Sequence, residues 1–140
     1  MKKSLLLFAI KCTVIVYCAA FTNIEKLTVS KAGTQQLVTK FNWKVNCYDN
    51  ANTDNTCIFD GYAFAFNETG KVTATKNNIT FEGNWLEDNF SKKITLHFKS
   101  INPALNQLNN SWSISSMNDT EITFENTTTP DKEKLYITAL

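Results

Sequence analysis

From Trp43 onward, apolar and polar residues alternate with a period of two. Trp43, Val45 and Cys47 alternate with Lys44, Asn46 and Tyr48, and Tyr62, Phe64 and Phe66 alternate with Gly61, Ala63 and Ala65. The same rhythm returns at Val72 and Ala74, at Ile79, Phe81, Gly83 and Trp85, and at Ile94, Leu96 and Phe98. It continues at Trp112 and Ile114, at Ile122 and Phe124, and at Leu135, Ile137 and Ala139. Successive side chains of a strand point to opposite faces, so this spacing predicts about eight short strands, each with one apolar face. Asn67–Gly70 (NETG), Lys76-Asn77-Asn78 and Met117-Asn118-Asp119 supply turn residues between them. Short connections favour antiparallel neighbours.

Two stretches break the rhythm. In Asn102–Asn110, Asn102 can cap, Pro103 suits the first helical position and Asn109 can end the turn, which predicts one or two helical turns. Upstream, residues 30–41 (SKAGTQQLVTKF) have Ser30 as a cap and Leu37, Val38 and Phe41 as an apolar stripe, with Gly33 weakening the pattern. Half-buried strands in this number must hide one face. The expected class is all-β: an antiparallel up-and-down barrel of about eight strands with a short N-terminal helix, with a β-sandwich as the alternative.

The first residues, MKKSLLLFAIKCTVIVYCAAF, run from a positive start through an apolar stretch to Cys18, Ala19 and Ala20. That is the order of a secretory signal, and the run is short for a membrane span. Lys11 interrupts it. Cleavage after Ala20 competes with a lipoprotein reading in which lipid sits on Cys18 and tethers the chain to a membrane. The expected organisation is a signal peptide over 1–20, a linker and short helix over 21–41, and a barrel domain over 42–140. The expected location is extracytoplasmic (periplasm, outer membrane or secreted), and the MKK start suits a bacterium. Export changes the view of cysteine. Cys47 and Cys57 remain as an even pair flanking YDNANTDNT, and a disulfide between them is expected to staple a hairpin.

Net charge is +1 with 19% charged residues, which gives no electrostatic case for nucleic acid. Ten Phe and three Trp are enough to build a core, and four Gly and two Pro argue against disorder.

The run FDGYAFAF at 59–66, the NETG turn, the strand around Val72 and FEGNW at 81–85 resemble the small bacterial lipocalin-like proteins of the cell envelope, an uncharacterised family. The resemblance covers roughly residues 40–140 and rests on Gly83 and Trp85 as a G-x-W, on Trp43 opening the first strand, and on the aromatic second strand. It implies an up-and-down barrel that holds a small apolar ligand. The G-x-W here falls on the fourth expected strand, where classical lipocalins have it on the first.

Tyr62, Phe64, Trp85 and Trp112 are the candidate ligand-binding residues on the inward face, against the competing view that these rings simply fill the barrel. Asn50, Asn52, Asp54 and Asp60 have a calcium-like alternation, but Asn55 and Gly61 stand where the loop motif wants Gly and Glu, so a plain polar hairpin loop is expected. His97 is the one histidine and lies on the polar side of its strand; neither it nor the adjacent Glu87 and Asp88 forms an acid–base or nucleophile constellation. The N-x-S/T sequons at Asn67, Asn78, Asn89, Asn109, Asn118 and Asn126 are read as chance in an Asn- and Thr-rich chain. No catalytic residue, metal or cofactor is expected. The leading reading is an exported, non-catalytic protein binding a small apolar or amphipathic ligand. The rival is a filled scaffold that meets another envelope protein through loops such as 49–56 or 86–92.

Overall fold

The computed structural model describes residues 33–126 and 132–140. The segment expected to be a signal peptide, with the expected cleavage after Ala20, and Cys18 and Ser30 lie outside the described residues. Among the described residues nine strands form one sheet: β1 (Asn42–Asn50), β2 (Thr53–Asp54), β3 (Ala63–Phe66), β4 (Lys71–Lys76), β5 (Ile79–Asp88), β6 (Lys93–Phe98), β7 (Ser111–Met117), β8 (Glu121–Asn126) and β9 (Glu133–Ala139). From β3 to β9 each strand pairs antiparallel with the next, and β1 pairs with both β3 and β9. The sheet therefore closes into an up-and-down barrel. The two-residue β2 folds back on β1 as an extra hairpin. This is the barrel expected from the alternation.

Turn chemistry follows the residues. Ala51 and Asn52, and again Asn77 and Asn78, have positive φ between directly paired strand ends, as a two-residue type I′ hairpin requires. In the NETG turn, Asn67 Oδ1 accepts the Thr69 and Lys71 backbone N–H groups at 3.0 Å each, and Gly70 takes φ 81°. Helix α1 (Thr34–Val38) sits at the lower end of the barrel beside the β3–β4 and β5–β6 turns. Helix α2 (Pro103–Gln107) closes the upper end. Its Asn102 side chain caps Ala104 N–H and Pro103 occupies the first turn, as expected.

The three tryptophans fasten these ends. Trp43 Nε1 donates to Val38 O at the end of α1 (2.9 Å), Trp85 Nε1 to Asn67 O in the β3–β4 turn (2.9 Å), and Trp112 Nε1 to Leu108 O after α2 (3.0 Å). Each ring is buried and each indole N–H is satisfied by a carbonyl at an element end. Gly83 explains the rest of the G-x-W. It lies opposite Phe98, and a Cβ there would stand 2.8 Å from both His97 O and the Phe98 ring.

The period of two fails once in β1. Val45 lies opposite Ile137 and Cys47 opposite Tyr136, so Asn46 is an extra residue, a β-bulge. Beyond it the faces exchange. Tyr48 points inward and is 1% exposed, and Cys47 leaves the apolar face where the alternation had placed it. The expected Cys47–Cys57 disulfide is a second correction: Cys57 is an exposed free thiol in the 3-10 turn Thr56–Phe59. The hairpin turns at Ala51–Asn52, immediately after β1. Asn55 N–H then donates to Tyr48 O (2.8 Å) and Tyr48 N–H to Thr56 Oγ1 (2.8 Å). Backbone and hydroxyl groups thus close the loop that the bridge was expected to staple, and the strand facing Cys47 is β9.

Gly83→Ala is expected to destabilise the barrel by about 1–3 kcal/mol, because both obstacles are held in place by the β5–β6 ladder. Thermal unfolding followed by circular dichroism checks this; an unchanged midpoint would show that the two strands can move apart freely.

Candidate functional site

The barrel interior is full. Trp43, Phe64, Phe66, Trp112, Phe124 and neighbouring aliphatic residues surround a void of about 20 Å³, room for roughly one water. Ring contacts continue through it: Tyr48–Phe59 at 5.3 Å, Phe64–Phe98 at 6.4 Å and Phe66–Trp85 at 5.6 Å, all edge-to-face. The four residues expected around a ligand are not brought to one cavity. Phe64 and Trp112 line the small void. Trp85 is at the lower end, tied to Asn67. Tyr62 is near the upper end, where its hydroxyl accepts from Asn102 Nδ2 at 2.7 Å and the Lys76 ammonium lies 5.0 Å from its ring centre.

Tyr62 does line a larger space. β1 meets β3 through Asn42 opposite Ala65 and Trp43 opposite Phe64, and above that point the two strands part. The gap in the wall is a cleft of about 410 Å³, within the roughly 300–1,000 Å³ typical of ligand sites. Its inner side is made by Val45, Phe59 and Tyr62, and its rim by Lys44, Asn46, Asp60 and Leu140. Neither Lys44 nor Asp60 makes an ion pair among the described residues. The cleft follows from the bulge at Asn46 and from the 3-10 turn, which carries Phe59 inward and leaves Asp60 and Gly61 exposed. A bulge leaves no reliable mark in a sequence, so neighbouring positions Lys44 and Asn46 read as ordinary outward residues.

A polar layer crosses the upper end of the barrel. The Glu133 carboxylate, 7% exposed, accepts from Tyr48 Oη (3.0 Å), Asn110 Nδ2 (3.1 Å) and Asn126 Nδ2 (2.7 Å). Asn126 is also buried. Burial raises the Tyr48 phenol well above its ordinary range, with the Glu133 hydrogen bond and charge adding to it. A simple signal would have found these groups: Asn126 lies two residues after Phe124 and Glu133 two before Leu135, so the alternation continues inward at both. On the outside of the wall, Tyr136 is pushed up to about 12, first by burial and then by its hydrogen bond to Glu121 and that group's charge.

The remaining candidates separate. Asp54 accepts from Thr56 N–H (2.9 Å) and Oγ1 (2.6 Å), which lowers its pKa and ties it into an Asx turn. Among the described residues no group of three or more His, Cys, Asp or Glu could hold a metal ion. His97 is exposed on β6. Asp88 binds Ser91 and the Phe90 backbone N–H in the β5–β6 turn, and its pKa is lowered first by the Ser91 hydroxyl.

No protein-family model matches the chain, and no curated protein matches it. Among solved structures the chain is similar to a DUF4847 family protein from Bacteroides vulgatus, with a TM-score of 0.55 and 15% identity, over 74% of this chain and 96% of that one. The likeness is one of fold.

Glu133→Leu is expected to cost about 3–5 kcal/mol, because it strands three donors in the upper layer, whereas Glu133→Gln, which keeps one acceptor, costs about 1–3 kcal/mol. Urea unfolding of both variants checks the order, and equal midpoints would show that water reaches the layer. The two tyrosines set an alkaline limit. Both have folded pKa values raised above the unfolded value of about 10, so their contribution is complete below that pH and is lost as pH climbs through the folded values. Stability is therefore expected to fall above pH ~10, and less steeply in Tyr136→Phe. Denaturation at stepped alkaline pH with phenolate absorbance measures it.

Proposed function

We propose that this is an exported, non-catalytic binding protein of the bacterial envelope, lipocalin-like in architecture, whose barrel is a filled scaffold and whose binding site is the cleft between β1 and β3. One observation carries the site: the interior void is about 20 Å³ and the cleft about 410 Å³. An apolar ligand large enough for specific recognition needs a few hundred Å³, so the wall and not the interior offers the room. Val45, Phe59 and Tyr62 supply the apolar surface, and Lys44, Asn46, Thr56 and Asp60 the polar groups that would fix orientation. The bacterial neighbour in fold supports the bacterial assignment. The N-terminal segment supports export.

The test uses the mature form recovered outside the cytoplasm, its start defined by intact mass. A panel of small amphipathic fragments is titrated while backbone amide shifts are followed. Shifts are expected at Val45, Phe59 and Ala63, and Ala63→Trp, which fills the cleft, is expected to remove them while the fold persists. Ligand contacts confined to Phe64 and Trp112 would move the site back to the interior, and silence at all these positions would reject a binding role for the cleft.

A further inference from the structure

We infer that the cleft takes an extended polypeptide segment of a partner protein, added as a short strand between β1 and β3; this rests on the cleft being the binding site. One wall of the gap is the edge of β1, and the other is the first residue of β3, Ala63, with the turn Asp60–Tyr62 that leads into it. On β1, Lys44 and Val45 have their partners, Thr138 and Ile137, on β9, and the same residues line the cleft on the other side. On β3, Ala63 is paired to Thr75 of β4 and also lines the cleft. Below, the opening is closed by Trp43 opposite Phe64. Above, Thr56 and Asn55 take up the Tyr48 backbone. What remains is a window alongside Lys44–Asn46, about 10 Å of strand at roughly 3.3 Å per residue, enough for about three residues. A strand edge of this kind recruits another backbone, which is how β-augmentation works.

The side chains around the window define the segment. A guest strand alternates its side chains between the inside and the outside of the wall. Its middle residue would point inward to Val45, Phe59 and Tyr62, which selects an apolar side chain of moderate size. Its two flanking residues would point outward, to the rim where Lys44 and Asp60 are exposed and make no ion pair among the described residues. Charge complementarity then selects one acidic and one basic flank around one apolar residue. Gly61 and Ala63, small residues on the β3 side, leave the backbone room to approach. A compact small molecule would use the apolar base but would leave the β1 edge without a matching partner.

The test pans the whole mature protein against a displayed library of short linear peptides, with selected peptides resynthesised and titrated. The expected outcome is enrichment of an apolar residue between an acidic and a basic one, with amide shifts and slowed hydrogen exchange at Val45 and Ala63. Lys44→Glu is expected to weaken the selected peptides about tenfold and, when panned itself, to exchange the acidic preference for a basic one. A library without enrichment, or peptides whose flanking charges ignore Lys44→Glu, overturns the strand inference. The small-fragment titration separates the two levels: if fragments shift Val45 and Phe59 while peptides do not, the cleft stands and the strand guest falls. If neither does, both fall.

Discussion

The pairing of β1 on both of its edges is the constraint from which the rest of the structure follows. Along β9 it runs from Trp43 to Asn50, and it reaches β3 through Asn42 and Trp43. Without the first ladder the sheet would be open, with two long edges available to other chains. With it, every inward face is enclosed, and the apolar alternation of the other strands has one place to point. Closure requires strong local twist and bend, and the bulge at Asn46 provides them. The same bulge turns Tyr48 inward, moves Cys47 out of the apolar face and lets β1 leave β3. The inward turn of Tyr48 and the outward turn of Cys47 thus have one origin.

Filling the barrel and opening its wall are linked. Rings from β1, β3, β5, β6 and the 3-10 turn meet edge-to-face in the interior, Trp112 and Phe124 pack in the same core, and the indole N–H of each Trp is anchored to a backbone carbonyl near an end. Burying this much aromatic surface is strongly favourable, at about 25 cal/mol per Å², and leaves no room for a guest. The structure therefore shifts attention from the barrel's interior, where such folds often hold ligands, to the place where the ladder is shortest.

The polar layer at the upper end sets a different balance. A carboxylate with three donors and no ion pair among the described residues is a weak source of net stability, since desolvation offsets much of what the hydrogen bonds return. Its value is geometric. Glu133 joins β9 to β1 through Tyr48, to β8 through Asn126 and to the start of β7 through Asn110. Any slip in register would leave these groups buried without partners, so the layer disfavours alternative closures of the same strands.

How much of this is legible in the sequence differs from element to element. The period of two from Trp43 to Ala139, the Asn-rich turns and the Asn102–Pro103 helix start are local properties, set by side-chain chemistry within a few residues, and the sequence determined them by itself. So did the identity of most core rings, and the inward positions of Asn126 and Glu133 were there to be read by extending the alternation. Three things were decided by the tertiary structure. Which strand closes on β1 depends on the summed twist of the whole sheet. Where β1 bulges depends on that closure, and with it the orientation of Cys47 and Tyr48. Whether the rings leave a cavity depends on how their volumes fit a barrel of this girth. None of these is a property of a short window of residues. That is why Tyr62 could be singled out from the alternation while Lys44 and Asn46, which line the cleft with it, could not.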